Sequence, residues 1–206
     1  MLDHVFTDAI GALRDAFENA FLERQAFEER FQVDVLLGDM TWETSYGLPG
    51  EGLPPRVQAD ITLDWPTWSQ SAYRSWYIGE PIHEPPRIDI EIVLRVQRLA
   101  SSPDPRHLLD VLPEQSPTIG SERLVRSNPT VETQYSHDLS STVHAIEVSY
   151  DGTYELEEAT LADGSILDDH FSAMGGWIAA TLVRVGDLKF GFLPPVDPDN
   201  LFGLEP

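Results

Sequence analysis

The sequence predicts an α+β domain in which an N-terminal amphipathic helix packs on a mostly antiparallel sheet with long hairpins, followed by an extended C-terminal tail. Three observations lead there. Apolar residues recur at helical spacing in the opening segment. They then alternate one-by-one with polar residues in three separate stretches. Glycine and proline clusters separate those stretches. One period of 3.6 followed by several periods of 2 is the pattern of a helix laid over a sheet that has one dry face and one wet face.

The helix is read from Val5, Ala9, Ile10, Leu13, Ala16, Phe17, Ala20, Phe21 and Phe27, with Arg14, Asp15, Glu18, Glu23 and Arg24 between them. Asp3 or Thr7 would cap it, Gly11 weakens it slightly, and nothing breaks the period before Arg30. Alternation then begins at Phe31, Val33, Val35 and Leu37, and slips by one after Gly38-Asp39 to Met40, Trp42 and Tyr46. Such a slip predicts a β-bulge or a tight bend. After a loop from Gly47 to Pro55, a clean strand runs over Val57, Ala59, Ile61, Leu63 and Trp65 to Pro66. A further strand follows over Ile88, Ile90, Ile92, Leu94 and Val96. Between them, Trp68 to Ile78 shows no single period and reads as an irregular strand continuation or a long hairpin tip.

The second half carries stronger turn signals. Ser101 to Gly120 reads as a linker with one short helical piece, Pro105 to Leu112. Asp151-Gly152 predicts a hairpin joining Val143–Tyr150 to Thr153–Leu161, and Gly186-Asp187 another joining Trp177–Val185 to Leu188–Phe192. Ser165 and Asp168 resemble a capping box opening a helical turn or two, which Gly175-Gly176 would end. Residues 1–193 thus read as one domain, with 101–142 a candidate insertion. Residues 194–206 form an extended arm, because proline is frequent there and cannot extend a sheet.

Composition bounds the function. The chain has 206 residues, large enough to bury a core of its own. It has no cysteine, which excludes disulfides, thiolate metal sites and cysteine nucleophiles. No stretch is long and apolar enough to cross a membrane, and no signal peptide is visible, so a soluble protein is expected. Thirteen Lys and Arg against 35 Asp and Glu give a net charge of −22, and Lys189 is the only lysine. Either the acid is functional, as in a mimic of DNA or an inhibitor of a basic protein, or it is an adaptation to molar salt, as in proteins of salt-accumulating archaea and their viruses. The acids are spread along the whole chain and form no acidic tail, which favours salt adaptation over a functional acid surface, with an ordinary acidic mesophilic protein as the remaining alternative. Either way, non-specific nucleic-acid binding is disfavoured without a basic patch.

Chemistry-bearing patterns are sparse. Asp60, Asp64, Asp89 and Glu91 lie on the polar sides of two strands and would suit a Mg²⁺-dependent nuclease if they converged, but Glu91 is followed by Ile92 and Val93 rather than by the lysine such sites use. His4, His83, His107, His137, His144 and His170 form no ligand spacing, and His170 beside Asp168 and Asp169 reads as a helix-surface ion pair. Glu28-Glu29 and Glu157-Glu158 read as solvated faces, and neither a Gly-x-Ser-x-Gly elbow nor a phosphate-cradling loop is present. No catalytic, cofactor-binding or metal-ligating residue is therefore assigned. Trp65, Trp68, Tyr73, Trp76 and Tyr77 crowd one short stretch with Arg74 the only cation among them. They read as core, as a protein contact or as a stacking platform for a ligand.

The order of elements resembles tail-terminator and tail-completion proteins of tailed viruses. Helix Val5–Arg30, strands Phe31–Leu37, Val57–Trp65 and Ile88–Val96, and the late strand Trp177–Val185 carry the resemblance; Ser101 to Thr142 has no counterpart. The resemblance implies a ring-forming virion subunit that contacts itself and neighbours such as a tail tube or connector, with no catalysis. The aromatic residues above and Leu201, Phe202 and Leu204 of the arm are then the contact candidates. With the acidic composition, it implies a neck or tail protein of a virus of a halophilic archaeon, located in the virion, or in the cytoplasm if cellular. The nuclease and the acidic inhibitor remain the alternatives.

Overall fold

The computed structural model describes residues 3–21, 27–36, 38–48, 54–135 and 141–194. Its first helix, α1, covers Asp3–Phe21, and Phe6, Ala9, Ile10, Leu13 and Phe17 bury its apolar stripe. The helix stops well short of Arg30. The strand β1 already begins at Phe27 and runs to Leu36, pairing antiparallel with β2 (Asp39–Gly47) from Phe27 opposite Gly47 to Leu36 opposite Asp39. No local breaker ends the helical period; strand pairing overrides it, since Phe27 and Phe31 fit either period. The slip at Gly38-Asp39 is a tight turn with Gly38 at φ 96°, and the one bulge in this pair lies instead between Glu28 and Arg30.

Strands β3 (Val57–Trp65) and β4 (Arg87–Leu99) fall where alternation places them, and they pair antiparallel. The sheet has seven strands in the order β1-β2-β3-β4-β7-β5, with β6 (Thr130–Tyr135) also on the outer side of β7 (Thr142–Glu155) and β5 covering Val125–Arg126. Burial alternates strictly along β3, from Val57 to Trp65, and along most of β4. One face is therefore dry and the other wet.

Three expectations fail in instructive ways. First, Trp68 to Ile78 is neither strand nor hairpin tip but a helix, α2 (Thr67–Tyr77). Its inward first turn is polar: Ser69 and Gln70 are its buried residues, so no apolar stripe announces it. Both are hydrogen-bonded. Ser69 Oγ donates to the Arg87 carbonyl at 2.7 Å and accepts from Arg87 N–H and Trp65 Nε1–H, while Gln70 Nε2 donates to the Gly38 and Trp65 carbonyls.

Second, Asp151-Gly152 makes no turn. β7 runs straight through it, with Gly152 opposite Ile90. A Cβ at Gly152 would lie 2.8 Å from Leu124 Cδ2 and 3.3 Å from its Cα, so this glycine admits the chain at Leu124 against the dry face. Third, Trp177–Val185 is no strand. A short helix, α4 (Glu158–Ala162), leads into α5 (Gly164–Gly186), which continues through Gly175-Gly176 and ends at the Gly186-Asp187 pair read as a hairpin turn. Leu167, Phe171, Met174, Ile178, Leu182 and Val185 form its buried stripe, and its cap is Asp163, whose Oδ1 accepts from Ser165 N–H at 3.0 Å.

The helices α1 and α5 pack on each other and together cover the dry face. α1 lies over β2 and β3, where Phe17 stacks on Tyr46 at 3.9 Å and Phe6 meets Trp65 at 5.8 Å. α5 runs close to β3 and reaches β7, where Trp177 meets Tyr150 edge-on and Phe171 meets Tyr154 edge-on, both at 5.1 Å. Residues 101–126 contain the short helix α3 (Pro105–Leu109), and Leu108, Leu112, Ile119 and Leu124 join the same core. Tyr150 ties this segment down by donating its hydroxyl to the Pro113 carbonyl at 2.6 Å, and burial pushes that hydroxyl up to about 12.

Asp39 holds the start of α2. Its carboxylate accepts from Thr67 N–H at 2.6 Å and Thr67 Oγ1 at 2.7 Å, and these bonds hold its carboxyl below the ordinary range. Asp39→Ala is expected to lower the thermal midpoint at neutral pH. The contribution exists above the ordinary carboxylate pKa and disappears as pH falls through the lowered one, so the gap between variant and wild type should narrow in acid.

Candidate interaction surfaces

The aromatic segment divides between core and surface. Trp65 is fully buried, so it is not a contact residue. Tyr73 lies 5.9 Å from Trp65 on its outer side, with Trp76 and Tyr77 beyond it at 6.1 and 6.5 Å. Tyr73 and Trp76 are half-buried, and burial, then the neighbouring Tyr77 and Asp8, raise the Tyr73 hydroxyl above its usual value. Trp68 stands at the surface with the Arg87 guanidinium 5.0 Å over its ring. Among the described residues, six large apolar side chains are exposed, and four of them, Trp68, Tyr77, Ile78 and Ile82, belong to α2 and the loop after it. The α2 end of the sheet is thus the stickiest part of an otherwise acidic surface. Ile78 and Ile82 were not singled out from sequence; an apolar pair flanking Gly79 in a proline-rich loop was the available signal.

The wet face of the sheet carries the acids. Asp64 lies opposite Asp89 across β3 and β4, and Thr62, Glu91 and Asp151 form one row across β3, β4 and β7. The four carboxylates suspected of a metal site do share this face, but each has its own surroundings. Asp60 accepts from Ser45 and Gln58, Asp64 from Thr41, and Asp89 sits 3.1 Å from Arg87 Nε. Burial, then Asp151 and Asp64, raise the Glu91 carboxyl above its ordinary value. Among the described residues, no three His, Asp or Glu side chains stand close enough to hold a metal ion. His170 Nδ1 lies 2.7 Å from the Tyr154 hydroxyl.

The third surface is a cavity of about 540 Å³ where β4, β6 and β7 meet the segment after α5. Val143, Ala145, Leu193 and the prolines Pro54 and Pro194 give it apolar walls; Arg95, Arg98 and His144 reach it. Arg95 bridges Glu132 at 2.6 Å and Glu147 at 2.8 Å. Arg98 sits at φ 62° where the β4–β7 register shifts between Val96 and Leu99. Its guanidinium donates to the Pro54 and Leu193 carbonyls at 3.3 and 3.2 Å, and its own carbonyl accepts from Leu193 N–H at 2.7 Å. The three-residue step from Val96 to Leu99 was the sequence signal for this bulge. Leu201, Phe202 and Leu204 lie outside the described residues.

Among the described residues no helix is long and apolar enough to cross a membrane. No family model matches the chain, and no curated protein or solved structure is similar to it.

Proposed function

We propose that this chain is a non-catalytic assembly subunit that closes into a ring with copies of itself, at the neck or tail of a tailed virus of a halophilic archaeon. The observation that carries the self-association is the concentration of Trp68, Tyr77, Ile78 and Ile82 at the α2 end of the sheet. Four exposed large apolar side chains on one helix and the loop after it are costly to leave in water, and residues of this kind are common at protein contacts. An open sheet with β1 at one side and β5 and β6 at the other also suits head-to-tail arrangement, because its two ends differ. The viral setting rests on the acidic, lysine-poor composition and on the order of an N-terminal helix followed by β1, β3 and β4; the late strand read at Trp177–Val185 is part of α5 and lends it no support.

Absolute mass by light scattering in molar KCl, with negative-stain images, tests this. A closed ring that falls apart in Tyr77→Ser/Ile78→Ser supports it. A monomer at every concentration overturns the ring. The acids Asp64, Glu91 and Asp151 on the wet face favour a second reading, a surface that holds a basic protein partner. That reading requires binding that weakens steeply with salt, and it fails if molar KCl leaves the complex intact.

A further inference from the structure

We propose that residues 188–193, which follow α5, form a strap that opens from the end of β4 as a unit of its own, with the Arg98 side chain as its clasp. The strap is built as an element of low local stability. Leu188, Phe190, Phe192 and Leu193 are half-buried, Lys189 and Gly191 are exposed, and the last fully buried residue before them is Val185. Its rings meet their neighbours near the surface. Phe190 lies 6.5 Å from His107 and 6.3 Å from Phe192, and the Arg56 guanidinium stands 4.9 Å over the Phe192 ring. Its backbone bonds to the sheet are gathered at one place: Leu193 N–H donates to the Arg98 carbonyl at 2.7 Å, and Ala100 N–H donates to the Gly191 carbonyl at 2.9 Å. Shallow apolar contacts and bonds gathered at one end let a segment open while the rest stays folded.

Arg98 is the residue that holds it. The backbone there has φ 62°, which glycine adopts without steric cost and arginine does not. The conformation therefore gives no reason for an arginine, and neither does solvent, because the residue is buried. The side chain supplies the reason: its guanidinium donates to the Leu193 carbonyl of the strap at 3.2 Å and to the Pro54 carbonyl ahead of β3 at 3.3 Å. Strained backbone persists where the surroundings enforce it and marks positions with a task. On either side of the bulge β4 keeps its pairing with β7, Val96 opposite Ile146 and Leu99 opposite His144, so the clasp can release without breaking the sheet. Opening takes Phe192 away from Leu99, the buried residue it bridges, and bares the end of β4.

Hydrogen exchange of the full chain in molar KCl, read at single amides, tests this. In the unaltered chain Ala100 and Leu193 should exchange together, at least ~100-fold faster than Ile61 and Ile92 at the centre of the β3–β4 pair. Arg98→Gly keeps the backbone conformation and removes the clasp. It is expected to speed Ala100 and Leu193 by about tenfold or more, as the loss of hydrogen bonds from a charged group implies, and to leave Ile61 and Ile92 no faster. Phe192→Ser, in the strap and outside β4, should do the same by removing a ring contact. Exchange of Ala100 and Leu193 at the rate of Ile61 and Ile92 in the unaltered chain would overturn the strap. So would variants that speed all four amides alike. Unchanged protection of Ala100 and Leu193 in Arg98→Gly would overturn the clasp. None of these outcomes depends on whether the chain forms a ring.

Discussion

Replacing Gly175 with leucine is expected to destabilise the fold by about 3 kcal/mol, whereas replacing its neighbour Gly176 with alanine should stabilise it by up to ~1 kcal/mol. A Cβ at Gly175 would stand 2.8 Å from Ala16 Cβ and 3.0 Å from the Leu13 carbonyl oxygen. The second of these is backbone of α1 and cannot swing aside, so the two helices would have to separate along their crossing. Gly175 is buried, whereas Gly176 is exposed and a Cβ there would meet nothing within 4 Å. There a methyl group only removes backbone freedom from the unfolded chain. For a chain of this size ~3 kcal/mol corresponds to a fall of roughly 6–12 °C in thermal midpoint. Opposite signs at adjacent glycines are the signature of a helix passing a notch. A similar loss at both positions would mean that α5 is interrupted there.

That pair of glycines also shows where the sequence was hard to read. Locally, Gly175-Gly176 is a helix stop, and it is read as one when each segment is judged alone. The stripe of Leu167, Phe171, Met174, Ile178, Leu182 and Val185 runs past it at unbroken helical spacing, and the physical need for the glycine lies on another helix, at Leu13 and Ala16. Asp151-Gly152 misleads for the same reason: the glycine answers to Leu124, not to a turn. By contrast β3 and β4 were legible residue by residue, because both have one dry and one wet face and the alternation records that directly. α1 was legible in kind but not in length, since Phe27 satisfies both periods and the pairing with Gly47 decides.

The candidate surfaces divide along similar lines. The aromatic crowding around α2 was visible, yet which rings face water depends on a helix whose inward turn is Ser69 and Gln70. Trp65 and Trp68 are three residues apart in sequence; one is fully buried and the other covers Arg87 at the surface. The cavity was invisible, because its walls come from residues as distant as Pro54, Val143 and Leu193. Spacing along a chain records one element's neighbours, not the meeting of three.

In dilute buffer at pH 7 the fold should be markedly less stable than in molar KCl. The physical source can be placed. Asp168 on α5 has its carboxyl raised by burial and then by Asp8, Asp169 and Asp15, two of which lie on α1, so like charges face each other across the helix pair that covers the core. Glu91 is raised by burial and then by Asp151 and Asp64 on the wet face. A raised folded-state pKa means that the proton favours the fold: the benefit is complete below the ordinary carboxylate value and is lost as pH rises through the raised one. Asp39 and Asp163, and Asp104 at about 2, are held low by hydrogen bonds first of all, and Asp104 draws further help from the Arg106 charge; their benefit is present above the ordinary value and lost in acid. Low-salt stability should therefore peak in mild acid, falling on one side toward neutrality and on the other toward pH 2. Molar salt shrinks the screening length to ~3 Å and should flatten that part of the neutral side which comes from the neighbouring carboxylates, while leaving the part that comes from burial and the acid side, where the cause is direct hydrogen bonding. Thermal midpoints measured from pH 2 to 8 at 0.05 and ~3 M KCl decide it. Equal midpoints at pH 7 in both salts would show that the −22 charge is not what limits this fold, and would remove the ground for reading its composition as an adaptation to brine.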